Sequence, residues 1–142
     1  MVEKSTKAAR GTVQCENTNI NLLKANDFVA DIIKKEMANK GTLLINITSS
    51  AGSGKTTLMQ KTAQKLKDKI TMAVTGGICH LEAQMVHQVL DQFDLESIDL
   101  LFIENVGNLV CPSSFDLGED YRVTLMATTE GDDKPKKYPK MF

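Results

Sequence analysis

The segment Ser49-Ser50-Ala51-Gly52-Ser53-Gly54-Lys55-Thr56-Thr57 constrains this chain more than any other, because it dictates what must stand on either side of it. A short apolar run, Leu43 to Ile47, precedes it, and residues with helical patterning follow from about Thr56 to Lys67. Strand, glycine-rich turn and helix in that order are the setting of a Walker A phosphate loop. Glycines let backbone N–H groups turn inward around phosphate oxygens, and the following helix adds its positive N-terminal end. Lys55 then reaches the β- and γ-phosphates and Thr56 ligates magnesium, with Gly52, Ser53, Gly54 and Thr57 completing the cradle. One position departs from the consensus, which opens on glycine where this chain has Ser49. The match specifies a nucleoside triphosphate and is silent about its base.

The remaining pattern supplies a fold around that loop. Apolar residues at helical spacing run from Ile20 through Leu23, Phe28, Ile32, Ile33 and Met37 to a Lys40-Gly41 stop, with an expected break at Asn26-Asp27. Ile70 to Val74, Leu100 to Ile103 and Val123 to Ala127 read as further strands, and Leu81, Met85, Val86, Val89, Leu90 and Phe93 as one face of a third helix. Strands alternating with helices predict an α/β fold with a mostly parallel sheet. Residues 1 to 19 are polar and unpatterned and read as a mobile tail, leaving 20 to 142 as a single domain. A hydrophobic fraction of 42% and a charged fraction of 25% are ordinary globular values. A net charge of -1 gives no general pull toward nucleic acid or an anionic membrane, and no apolar run is long enough to span a bilayer. The basic N-terminus has no apolar segment behind it, so a cytoplasmic protein is expected.

Two further groups of residues carry chemistry. Leu100 to Ile103 ends on Glu104, an acid placed to act on magnesium or its waters, and the loop expected at Asn105 to Asn108 contains Gly107, whose amide suits a γ-phosphate. Cys79-His80 precedes the third helix, whose N-terminal field favours thiolate, and a thiolate with an imidazole suits zinc or nickel. Two ligands leave a site incomplete. A two-fold dimer can pair two such sets, and Cys111, in the loop after the Glu104 strand, is a third candidate. With three cysteines in such a chain, thiols or metal ligands are favoured over structural disulfides. Cys15 has no neighbouring partner, and His87 reads as a solvated histidine.

Four strings together give a specific resemblance: Ser49 to Thr57, Cys79-His80-Leu81-Glu82-Ala83, Ile103 to Pro112 (IENVGNLVCP) and Glu130 to Phe142 (EGDDKPKKYPKMF). The chain resembles HypB, the family of hydrogenase nickel-incorporation GTPases, from about Ile20 to its last residue. The resemblance implies an incomplete P-loop NTPase fold, GTP and magnesium as cofactors, and a GTP-dependent homodimer. Carried over, it nominates Cys79, His80 and Cys111 for nickel or zinc. It also implies work with a hydrogenase precursor and other maturation proteins, with Lys55, Thr56 and Glu104 as the catalytic set. Set against the family, the basic stretch Lys134 to Lys140 is a loop after a strand and not a nucleic-acid patch.

The chain also departs from that family. Its members continue the strand near Val74 into an acidic loop, a helix and a strand, whereas here Thr75-Gly76 follows directly. The Asn-Lys-x-Asp element that reads guanine is not within the 142 residues. If the Val74-Thr75 junction is that of the native chain, weak nucleotide binding and hydrolysis near background are expected; an encoded acidic loop between them would predict full GTPase function. The alternative to a working metallochaperone is a non-hydrolysing metal-binding or interaction remnant. A small P-loop kinase would leave Cys79-His80 unexplained.

Overall fold

The structure, a computed structural model, describes residues 6–66, 70–74 and 81–142, with side-chain surroundings for 20–66 and 81–142. Its elements in chain order are α1 (Thr6–Lys40), β1 (Leu43–Ser49), α2 (Lys55–Leu66), β2 (Ile70–Val74), α3 (Ala83–Leu90), β3 (Leu100–Gly107), β4 (Tyr121–Leu125) and the short α4 (Lys134–Lys137). Among the described residues, the 3-10 turns Leu95–Ser97, Cys111–Ser114 and Thr128–Glu130 lie in the connections. The strands form one sheet in the order β2-β3-β1-β4, and each pairing is parallel. Parallel neighbours need crossover connections, which α2 and α3 supply. This is the P-loop NTPase fold, and β1 stands where the strand order reverses, between β3 and β4.

α1 begins at Thr6, well before Ile20, and runs through Asn26-Asp27 without a break. Asn26 explains the continuity. Its side chain does not compete for local backbone. Its Oδ1 accepts from Ala83 N and its Nδ2 donates to the Asp116 carbonyl, both at 2.8 Å. The helix stops at Lys40 because Gly41 takes a φ of 73°. Gly41 N then donates to the Ala38 carbonyl and Thr42 N to the Met37 carbonyl, which satisfies the last turn as a Schellman motif.

The buried stripe of α1 is Asn26, Ala30, Ile33 and Met37, at helical spacing. Phe28 and Ile32, expected on the core face, lie on another stripe and are exposed, at 68% and 39%. Ala30, Ile33 and Met37 pack with Leu81, Ala83, Val86 and Leu90 around α3 and with Leu44, Leu101 and Ile103 of the sheet. Met85, also expected in that face, is exposed. α2 packs against β1, β2 and β3, burying Met59. No helix among the described residues is long and apolar enough to cross a membrane.

Candidate functional site

β1 delivers its last residue, Ser49, into a turn that ends where α2 begins at Lys55. Gly52 and Gly54 hold φ values of 77° and 92°, and a Cβ on either would meet nothing within 4 Å. These two glycines are required by backbone conformation, not by crowding, and the space beside them is open. Ser50 anchors the turn. Its carbonyl accepts from Ser49 Oγ at 2.7 Å and from Ser53 Oγ at 2.9 Å. Lys55 Nζ donates to Ser49 Oγ at 2.7 Å. The departure from a leading glycine thus has a physical place, since the buried Ser49 hydroxyl links the lysine to the loop backbone. Nothing in the residue pattern announces that role.

Lys55 is buried, and burial pushes its pKa down while the nearby Glu104 and Glu130 carboxylates oppose that. A bound triphosphate would set further negative charge beside this desolvated cation. Thr56 Oγ1 donates to Glu104 Oε1 at 2.5 Å, which joins the start of α2 to the end of β3. Gly107 stands against the loop so closely that a Cβ there would lie 2.8 Å from Ala51 Cα. Lys55, Thr56, Glu104 and Gly107 are therefore brought together. The Thr56 hydroxyl and Glu104 carboxylate are hard oxygen donors side by side, a donor set that fits magnesium.

Beside Ser50 and Gly107 lies a cleft of about 120 Å³, also lined by Asn108, Leu109, Val110, Lys134 and Tyr138. Lys134 and Lys137 stack their ammonium groups 5.7 and 5.6 Å from the Tyr138 ring centroid. Glu130 ends the turn before this segment, and Ser50, the Ala127 amide and nearby lysines hold its carboxyl below the usual value. Glu130 and Lys134 entered the sequence analysis only as members of longer strings, not as site residues, because each comes beside the phosphate loop only through the fold.

Of the three metal-type candidates, Cys111 lies among the described residues. Cys111 is a half-buried free thiol that opens the turn Cys111–Ser114. Cys79 and His80 lie outside the described residues. Among the described residues no group of three or more His, Cys, Asp and Glu side chains is placed to hold a metal.

No family model matches the chain. Hydrogenase maturation factor HypB of Escherichia coli (strain K12) is 41% identical over 148 aligned positions, covering 87% of this chain and 51% of that protein. Probable hydrogenase maturation factor HypB of Methanocaldococcus jannaschii is 39% identical, covering 84% of this chain and 65% of that protein. The chain thus spans about half the length of the first of these relatives. Two crystal structures share the fold. HypB from Archaeoglobus fulgidus superposes with a TM-score of 0.77 at 41% identity, over 84% of this chain and 68% of that one. HypB from Helicobacter pylori in complex with nickel gives 0.74 at 37% identity, over 82% and 67%. At this level of identity and superposition, the chain belongs to the HypB family.

Proposed function

We propose that this protein binds magnesium GTP at Ser49 to Thr57 and carries nickel as cargo during hydrogenase maturation, in the cytoplasm and as a GTP-dependent homodimer. The observation that carries the reading is the convergence of Lys55, Thr56, Glu104 and Gly107 around the open side of the loop. In this reading the backbone N–H groups around Gly52 and Gly54 bind the phosphates and Lys55 turns from Ser49 to the β- and γ-phosphates. Thr56 and Glu104 would hold magnesium, whose chemistry there would be to neutralise charge on the phosphates as the terminal one passes to water. Gly107 offers its amide to the γ-phosphate. Cys79, His80 and Cys111 are the proposed ligands for nickel, or zinc in its place, and a hydrogenase precursor with its other maturation proteins receives the metal. Relatives named as hydrogenase maturation factors, one of them solved with nickel, support the reading.

A second reading, binding without turnover, has its own support. The alignment with the Escherichia coli relative runs over 148 positions although only 87% of a 142-residue chain takes part, so that relative carries residues this chain lacks. Equilibrium binding and single-turnover hydrolysis separate the two. Lys55→Ala is expected to weaken magnesium GTP by about tenfold or more, the loss of one charge-assisted contact or greater. Unchanged affinity in that variant refutes the nucleotide site. Nickel binding that depends on Cys79, with an intact dimer and no turnover, selects the non-hydrolysing reading. Rapid GTP turnover by the 142-residue protein overturns the expectation of hydrolysis near background.

A further inference from the structure

β1 and β3 run in simple parallel register from Leu43 opposite Leu100 to Ile47 opposite Glu104. Continued, that register would set Ser49 opposite Val106, but Ser49 pairs with Gly107. β3 therefore carries one extra residue between Glu104 and Gly107, a bulge at the edge of the phosphate site. Bulges bend a strand and re-aim the residues beyond them, and they are held only where the displaced backbone groups find other partners. Here they do. Val106 N donates to Asn105 Oδ1 at 2.9 Å, and the Val106 carbonyl accepts from Asn108 N at 2.8 Å.

Asn105 is fixed in turn. It is buried, and its Nδ2 donates to Asn46 Oδ1 at 3.2 Å. Asn46, fully buried, donates from its own Nδ2 to Glu119 Oε1 at 3.1 Å. Arg122 Nε reaches the same oxygen at 2.7 Å. The run of side chains from Arg122 to Asn105 thus ends on the backbone of the bulge. A hydrophobic residue at either asparagine position would fill the sheet face as well, so the amides need a reason. The reason available is what the bulge does: it brings Gly107 against Ala51 while Glu104 keeps its carboxylate on Thr56.

We propose that Asn105 is a positioning residue, which holds the β3 bulge so that the Gly107 amide faces the terminal phosphate and the site distinguishes a nucleoside triphosphate from a diphosphate. This rests on the nucleotide reading above and adds the element that senses the third phosphate. Asn105 touches no phosphate itself. Its removal acts through Gly107, whereas loss of Lys55 weakens both nucleotides.

The test is equilibrium binding of a slowly hydrolysed GTP analogue and of GDP, each with magnesium, to the 142-residue protein and its variants. Unfolding midpoints are measured in parallel. Asn105→Ala is expected to weaken the analogue by about tenfold and GDP by less than about twofold, the effect of one misplaced hydrogen bond to one phosphate. Asn105→Ser, which keeps a hydroxyl acceptor near Val106 N, should fall between Asn105→Ala and the unsubstituted chain. Equal losses for the two nucleotides, or no loss in either, overturn the proposal, as does failure of both variants to fold. If the unsubstituted chain binds both nucleotides and Lys55→Ala does not, such results remove only the Asn105 assignment. If the unsubstituted chain binds neither, the nucleotide reading falls and this proposal with it.

Discussion

Gly118 shows how one residue can be settled by its neighbours. Its φ is 79°, and a Cβ there would lie 2.5 Å from the Ala30 carbonyl oxygen and 2.8 Å from Ile33 Cβ. Conformation and space both demand glycine, unlike Gly52 and Gly54, where conformation alone does. Gly118→Ala should destabilise the protein by roughly 2 kcal/mol or more, read from the denaturation midpoint. A variant as stable as the parent would show that the loop is free to back away from α1. Lys55 differs again. It is identifiable from its motif, yet its link to Ser49 and the carboxylates of Glu104 and Glu130 nearby come only from the fold.

Among the elements, the connection from Cys111 to β4 is held by side chains more than by regular structure. Glu119 Oε2 accepts from Leu117 N at 2.7 Å, and Arg122 Nη2 donates to the Phe115 carbonyl at 2.8 Å. Burial works against the Glu119 carboxylate, but Arg122, Asn46 and the backbone amides outweigh it and hold the pKa below its ordinary value of 4.5. A carboxyl with a lowered folded pKa adds stability that is present above about pH 4.5 and is lost as pH falls through the folded value. Glu119→Gln should therefore be less stable at neutral pH and show a shallower loss on acidification. Parallel pH profiles for the two proteins would deny the carboxylate that role. The strand elements were legible because short apolar runs between loops have few other uses in an α/β chain. The bulge in β3 was not, since nothing in Ile103 to Gly107 distinguishes an extra residue from an early loop.

For the whole molecule, α1 closes one core by packing on α3 and one face of the sheet. The Asn26 side chain ties it by hydrogen bonds to the start of α3 and to the segment after Cys111. Asn26→Ala strands a buried N–H and a carbonyl, and a loss on the order of 3 kcal/mol is expected in chemical denaturation. A loss below about 0.5 kcal/mol would mean that water replaces the amide. β2 and β4 are the outer strands of the described sheet, and Tyr121 and Val123 of β4 are 61% and 41% exposed.

The sequence by itself determined the α/β class, the four strands and the position of the phosphate loop, because those depend on local spacing and backbone demand. It also carried the strings by which the HypB family was recognised. Which face of α1 is buried, why Ser49 can replace glycine, and how Glu104 and Gly107 meet the loop were decided by tertiary structure alone. Each of these depends on residues brought together from separate segments. A pattern within one segment reports its own preferences, whereas burial, hydrogen-bond satisfaction and charge depend on which other segments arrive beside it.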